Sequence, residues 1–537
     1  MRWACSAWML VASTAVVLAQ RIEISGRILD ARGNPLAVAH AELRRAGRLE
    51  PIVQVRANPD GSFALAAEGE GLFLLRLAGV HHRPVDVPLV VGDAPVRERV
   101  TVRLATLPLP ERRDSVLIAP ERTLPETPTG VLLTLREGLY VLPGEVAAPQ
   151  RYRIVLRGGG RGVVTASVRD SLVLQPDGYY SGILRDSSFV FDPAELPRPN
   201  DAAVVRCESS AWQEVADAYL AFQGYLRAFA DTNAAMMERA ARAGGLGYDP
   251  VQVHAAVGAE RWRDTIVARL ASVRTRVAEQ LWLLFALALP ARGSGDELHR
   301  RALQQIPPSS PLWALDPQLV FQAVAQRDES DRRAFLDAVV ETNPDTTARA
   351  VVAFTELVAA FNSGDRERAR AMYKALTTHC VTHPLARTAQ RYNPDRRIQR
   401  GAELPAFRLP GKRKGSVVTR QDVVSGQPLL VAVVFNDCRP CIEQLQGLAA
   451  WRDSTKQSLR LLVVSIGEPA GELQRVLERL PHTLAIAPGF DAPELAPFEI
   501  EGYPTFILTN SRGIIVATNN ELRTVRTDVD RFLDAQP

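Results

Sequence analysis

The stretch GQPLLVAVVFNDCRPCIEQLQGLAAW, residues 426–451, decides the fold of the C-terminal part of the chain. It begins as a continuous apolar run, GQPLLVAVVF (426–435), of the kind expected for a parallel strand buried on both faces. It then passes through Asn436-Asp437-Cys438-Arg439-Pro440-Cys441 into an apolar pattern with helical period. A second buried run, LRLLVVSIG (459–467), and a second helical stretch, GELQRVLERL (471–480), repeat the alternation. HTLAIA (482–487), YPTFILTN (503–510) and GIIVAT (513–518) read as further strands, and 522–535 as a closing helix. Strands alternating with helices and ending in a β-hairpin predict an α/β domain around a largely parallel sheet.

Chemistry explains the cysteine spacing. Two cysteines at i and i+3 at the start of a helix can close a small disulfide ring. Cys438 sits where unpaired backbone N–H groups and the helix dipole favour a thiolate, which makes it the candidate attacking thiol. Cys441, one turn deeper, is the candidate resolving thiol that releases the reduced substrate. Pro440 can begin the helix because its missing N–H costs nothing in the first turn. Arg439 places a cation beside the thiolate and Asp437 an anion on its other side, so the two oppose each other. Half of a zinc site is the other chemistry open to such a pair. No second Cys or His pair stands at suitable spacing, and Ile442 after Cys441 excludes the usual haem-attachment pattern. Neither a metal nor an organic cofactor is expected. Gly158-Gly159-Gly160 lacks the following Gly-Lys-Ser/Thr of a phosphate loop and reads as a turn.

The order of strands and helices is that of a thioredoxin fold. The domain is expected to span 392–537, entry linker included. With GAELPAFRLP (401–410), VFNDCRPC (434–441) and FEIEGYPTFILTNSRGIIV (498–516), its residues 401–537 resemble the TlpA/ResA family of extracytoplasmic thioredoxin-like proteins. The resemblance implies that Cys438 and Cys441 are the redox pair and that Pro504 is a cis-proline facing them. It further implies that Tyr503, Pro504 and Thr505 position an extended substrate segment while Arg439 and Pro440 tune the pair. The implied activity is dithiol exchange with protein thiols or disulfides of the cell envelope, in the reducing direction, supplied by a membrane electron donor. Three positions depart from the family pattern. Asp437 stands where an aromatic residue is usual, Gln444 where a glutamate is frequent, and Ala432 where thioredoxins bury an acid. Both usual proton acceptors are therefore missing, which leaves water or Glu443 to deprotonate Cys441.

The chain as a whole has 537 residues, 46% hydrophobic and 23% charged, an ordinary globular composition at a length of three or four domains. With 64 basic against 60 acidic residues, it has none of the charge excess of a nucleic-acid binder, and no nucleic-acid partner is expected. Five cysteines are too sparse for a disulfide-stapled scaffold. Residues 1–19 carry Arg2, an apolar run and Val17-Leu18-Ala19 ahead of Gln20. That is the pattern of a secretory signal peptide and predicts a periplasmic or extracellular protein, with an uncleaved anchor as the alternative.

Residues 20–107 read as short strands with turn punctuation, in ISGRILDARGNPLAVAHAEL (24–43), NPDGSFAL (58–65) and GLFLLRLAG (71–79). Their even spacing predicts a small β-sandwich. The order resembles the carboxypeptidase regulatory-like domain, a transthyretin-like sandwich. His81-His82 is expected as a solvated loop pair, because adjacent side chains of an extended chain point opposite ways. Residues 108–205 predict a second β-rich domain, with a half-buried strand at RYRIVLR (151–157) and a hairpin around Pro176-Asp177-Gly178 in LVLQPDGYYSGIL (172–184).

Across 206–391 the period becomes helical and predicts an all-helical domain. Its main runs are SAWQEVADAYLAFQGYLRAF (210–229), ERWRDTIVARLASVRTRVAEQLWLLFALAL (260–289) and TARAVVAFTELVAAF (347–361). Asp365 is placed to cap the helix that follows Gly364. Cys207 and Cys380 bracket this region. In an oxidising compartment they are a possible structural disulfide, with two buried free thiols as the alternative. Two other function classes stay open. One is a binding scaffold with a redox-inert thioredoxin domain; the other is a thiol peroxidase, which needs a Thr and Arg constellation around its reactive cysteine.

Overall fold

The computed structural model describes residues 21–519 except 37, 93, 108–114, 122–129, 144–150, 159–160, 185–188, 198–202, 243–248, 294, 414, 456–458 and 501. The expected signal at 1–19 and closing helix at 522–535 lie outside the described residues. The chain forms two compact units, Met1–Ala353 with Thr378–His383, and Phe354–Thr377 with Pro384–Pro537.

The first unit opens with seven strands, β1 (Arg21–Leu29), β2 (Ala39–Arg45), β3 (Pro51–Arg56), β4 (Ser62–Glu68), β5 (Gly71–Gly79), β6 (Val85–Val91) and β7 (Val96–Arg103). They pair as two sheets, β4-β1-β7 and β3-β2-β5-β6. Ile22, Ile24 and Ile28 of β1 are buried at even spacing, as a strand with one inward face requires. β5 is buried along nearly its whole length and sits between β2 and β6. Gly61 closes the turn before β4 at φ +80°, and a side chain there would run into the Ile28 carbonyl oxygen.

The second β-rich stretch is an excursion rather than a sequel. After it, β8 (Val204–Cys207) returns to pair antiparallel with β7. The excursion's larger sheet is centred on the strand Arg151–Gly158, flanked by Ser115–Pro120 and by the hairpin Ser171–Leu174 with Tyr180–Ile183. Gly178, at φ +87°, turns that hairpin.

His81 and His82 correct the expectation of a solvated pair, being 5% and 6% exposed. The turn that carries them packs beneath the excursion. His81 Nδ1 lies 2.8 Å from Thr165 Oγ1, and His82 Nδ1 lies 2.7 Å from the Val80 carbonyl. Burial, with His82 alongside, pushes His81 down to about 4 and keeps it neutral.

The helical region begins with α1 (Ser210–Arg242), whose Trp212 indole N–H donates to the Pro88 carbonyl of β6 at 2.8 Å. The long apolar run 260–289 is two helices, Ala259–Leu270 and Arg276–Leu287. The break has a local cause: the Glu214 carboxylate accepts the backbone N–H groups of Arg274 and Thr275 at 3.1 and 2.9 Å and starts the second helix.

Cys207, half-buried, and Cys380, buried, are both free thiols, which corrects the possible disulfide. Cys207 lies opposite Val100 in the β8–β7 ladder, while the Cys380 sulfur lies 3.9 Å from the Thr346 carbonyl. Burial pushes both thiols up, Cys207 to about 12, which leaves them protonated and unreactive at neutral pH.

The second unit is built on β9 (Leu429–Phe435), β10 (Arg460–Ile466), β11 (Thr483–Ala487), β12 (Thr505–Thr509) and β13 (Ile515–Asn519). Sheet order is β11-β10-β9-β12-β13, with β9, β10 and β11 mutually parallel and β12 and β13 antiparallel. α2 (Arg439–Thr455) joins β9 to β10, and α3 (Gly471–Leu477) joins β10 to β11. This is a thioredoxin-like domain. β9 is buried on both faces, as its unbroken apolar run requires. Leu430, Ala432 and Val434 pack with Cys441, Leu445 and Leu448 of α2. Leu429, Val431 and Val433 pack on the other side with Leu404, Phe407 and Phe498.

The entry segment is no free tether. The Leu404 N–H donates to the Gly513 carbonyl at 2.8 Å, and Arg408–Pro410 pairs with Val417–Thr419. In the second unit Asp365 caps the next helix through the Arg368 N–H at 3.1 Å. Among the described residues no helix is long and apolar enough to cross a membrane.

Candidate redox site

β9 ends at Phe435, and the chain turns through Asn436-Asp437 into the first turn of α2. Cys438 and Cys441 are joined by a disulfide there, with Cα atoms 5.1 Å apart. The ring lies under the helix N-terminus. The Cys441 backbone N–H donates to Cys438 Sγ at 3.1 Å, and the Ile442 N–H donates to the Cys438 carbonyl at 3.1 Å. Cys438 is 4% exposed and Cys441 is fully buried, so the outer sulfur is the one a partner can approach. In the reduced state the same N–H would face a thiolate, which is how a helix start stabilises that form.

The strand register brings the second motif to the same place. Val433 of β9 pairs with Thr505 of β12, so the segment before β12 stands level with the end of β9. The Tyr503–Pro504 peptide is cis, as the resemblance implied. Pro504 is buried, and the Thr505 hydroxyl donates to the Gly502 carbonyl at 2.5 Å. Tyr503 packs against the apolar cluster that contains both cysteines. Pro440 is exposed in the first turn of α2.

The structure corrects the role expected of Glu443. Its carboxylate is paired with Arg439, Nε to Oε1 at 2.9 Å, and the two side chains are 61% and 89% exposed. An exposed acid held by its helical neighbour is not placed to take a proton from a fully buried sulfur. Ala432 is likewise fully buried, in the same apolar cluster as Cys441. Within described residues 429–519, the buried polar side chains are Ser465, Thr505 and Thr509, none of them acidic.

Two features escaped sequence reasoning. Asn436 uses both ends of its amide: Nδ2 donates to the Glu468 carbonyl at 2.8 Å, and Oδ1 accepts the Ala470 N–H at 2.9 Å. It thereby ties the redox turn to the turn before α3. Phe435, Phe490 and Tyr503 form an edge-to-face trio with centroids 5.2–5.5 Å apart, and Phe490 is 56% exposed. An asparagine directly after a buried strand was the available signal for the first feature; the second depends on tertiary placement. Among the described residues, no group of three or more His, Cys, Asp or Glu side chains could hold a metal ion.

No family model and no curated protein matches this chain. Solved structures do resemble part of it. The thioredoxin domain of a thiol-disulfide oxidoreductase from Bacteroides vulgatus is 22% identical, covering 25% of this chain and 98% of that domain, with a TM-score of 0.22. A thiol-disulfide oxidoreductase from Bacteroides fragilis is 19% identical over 24% of this chain and 98% of its own, with a TM-score of 0.22. A thiol:disulfide interchange protein from a Bacteroides species is 22% identical over 26% of this chain and 92% of its own, also with a TM-score of 0.22. The likeness is confined to about a quarter of this chain.

Proposed function

We propose that this chain is an exported thiol–disulfide oxidoreductase that reduces disulfides of cell-envelope proteins through Cys438 and Cys441. The observation that carries the reading is the pair itself: one shielded disulfide at a helix N-terminus, its outer sulfur accepting the Cys441 N–H. In the reduced protein the Cys438 thiolate attacks one sulfur of a substrate disulfide. A mixed disulfide forms and one substrate thiolate leaves. Cys441, deprotonated, then attacks Cys438 Sγ, the second substrate thiolate leaves, and the Cys438–Cys441 bond closes. Two electrons pass to the substrate, and a dithiol donor at the membrane returns them. An extended substrate strand would pair along Gly502–Thr505, the segment that leads into the Val433–Thr505 pairing.

A Cys441→Ser variant leaves the mixed disulfide unresolved and should accumulate partners cross-linked through Cys438. Failure to trap any partner in the native envelope, with Cys438 alkylated no faster than an unperturbed thiol, overturns this reading in favour of an inert scaffold. The direction follows from the potential of the pair. A value near or below about −270 mV supports reduction, and one near about −120 mV supports oxidation.

A further inference from the structure

The first unit holds a cleft unrelated to the cysteines. It has a volume of about 360 Å³ and lies between the β5–β6 turn, the hairpin around Gly178 and α1. Arg83, Tyr179 and Arg227 line it, one from each element, with Asp231 also contributing. Val85, Leu107 and Val164 contribute apolar wall.

The polar side chains fall into two sets. Arg76 is spent: it forks onto Asp86 at 2.7 and 2.9 Å and donates to the Pro176 carbonyl at 2.6 Å, fixing the hairpin that carries Tyr179. Arg83 and Arg227 are not spent. Among the described residues neither guanidinium has an acidic partner, and Arg227 uses one N–H on the Gln223 carbonyl of its own helix at 3.1 Å. The Tyr179 hydroxyl has no partner among the described residues either. Burial and the nearby Arg83 charge lower the Arg227 pKa from its ordinary value, outweighing Tyr179, Asp86 and Tyr219, which act to raise it. Asp86 is already held by Arg76 and Arg44, and Asp231 is exposed. The repulsion between Arg83 and the exposed Arg227 is therefore only partly answered, and a bound anion would relieve it.

We propose that this cleft binds a small anionic ligand, a carboxylate or phosphate carried on an apolar body. Its oxygens accept from the Arg83 and Arg227 guanidiniums and the Tyr179 hydroxyl, while the body lies against the apolar wall. Planar guanidinium forks suit either oxyanion, and the volume falls in the range of small-molecule sites.

The test is calorimetry on the full chain with octyl phosphate, octanoate and neutral octanol as probes. Binding of octyl phosphate or octanoate, weakened by added salt, with octanol at least about tenfold weaker, is the expected result. The stronger of the two anions identifies the source of the charge. Arg83→Gln and Arg227→Gln should each lose about tenfold in affinity or more. Arg227→Gln should also leave the unliganded protein at least as heat-stable as the parent, because a repulsion is removed. Neither anion binding, equal binding by both variants, or a clear drop in the midpoint of unliganded Arg227→Gln overturns the proposal. Should Arg83→Gln fail to fold, Arg83→Lys keeps the charge without the fork, and unchanged affinity for both anions in that variant counts against fork recognition.

Discussion

Arg439 is ion-paired to Glu443, one helical turn further along α2, with Nε and Oε1 2.9 Å apart. The cation expected to favour the Cys438 thiolate is therefore answered on its own helix. The answering acid is the one that sequence reasoning offered to Cys441. The pairing removes both residues from the roles their positions suggested, and the first turn of α2 is left to act on Cys438 through its backbone N–H groups.

Glu443→Gln frees the Arg439 charge. Alkylation of the reduced Cys438 at pH 7 should then speed up by about two- to fivefold, the scale of an exposed ion pair. The lifetime of a Cys438 mixed disulfide, measured by quenched-flow trapping, should not lengthen in this variant. A tenfold longer lifetime would show that Glu443 is the proton acceptor after all.

Ala432→Asp restores a buried acid on the β9 face that packs with Cys441. An unpaired carboxyl in that apolar cluster should destabilise the domain by about 2–4 kcal/mol, read from urea unfolding. The same change should shorten the mixed-disulfide lifetime near neutral pH, because a general base now lies beside the resolving thiol. Loss of stability with no kinetic gain would mean that solvent already serves Cys441 adequately.

How much of this site the sequence disclosed follows from the range of each interaction. The apolar run of β9 and the spacing of Cys438 and Cys441 are local, and they located the strand, the helix start and the ring. Pro504 was legible through its motif, although its place beside Val433 comes from strand register. Glu443 was misjudged because i,i+4 pairing on the helix surface competes with burial, and only side-chain placement decides the outcome. The His81-His82 turn was misread for a related reason. Its solvation depends on Thr165, 84 residues further along in the other sheet. The return of β8 to β7 was hidden likewise, since four residues of strand carry no mark of their partner.

Asn436→Ala removes both amide bonds to the turn before α3. Because these bonds lie at the surface, the stability loss should be modest, about 1–2 kcal/mol. The larger effect should be on the redox pair, whose turn loses its tie to Glu468 and Ala470. A shifted midpoint potential with near-parental unfolding would assign Asn436 a positioning role, and an unchanged potential would make it purely structural.

Acid should unfold the first unit partly through Asp86. Burial alone would raise this carboxyl, but the Arg76 fork and Arg44, at 2.9 Å, outweigh it and hold Asp86 below its ordinary 3.8. A carboxylate whose pKa is lower in the folded state contributes stability above its unfolded value, and loses it as pH falls through the folded one. Glu42, raised by burial, works in the opposite sense, so the comparison must be made within one background. Asp86→Asn leaves two buried guanidiniums short of a counter-ion and should cost about 3–5 kcal/mol at pH 7. The difference between parent and variant should then shrink steadily below about pH 4, as the parent carboxylate is protonated. Denaturant titrations at pH 7, 4 and 3 measure both, and a difference that stays constant with pH would show that Asp86 is not the titrating group.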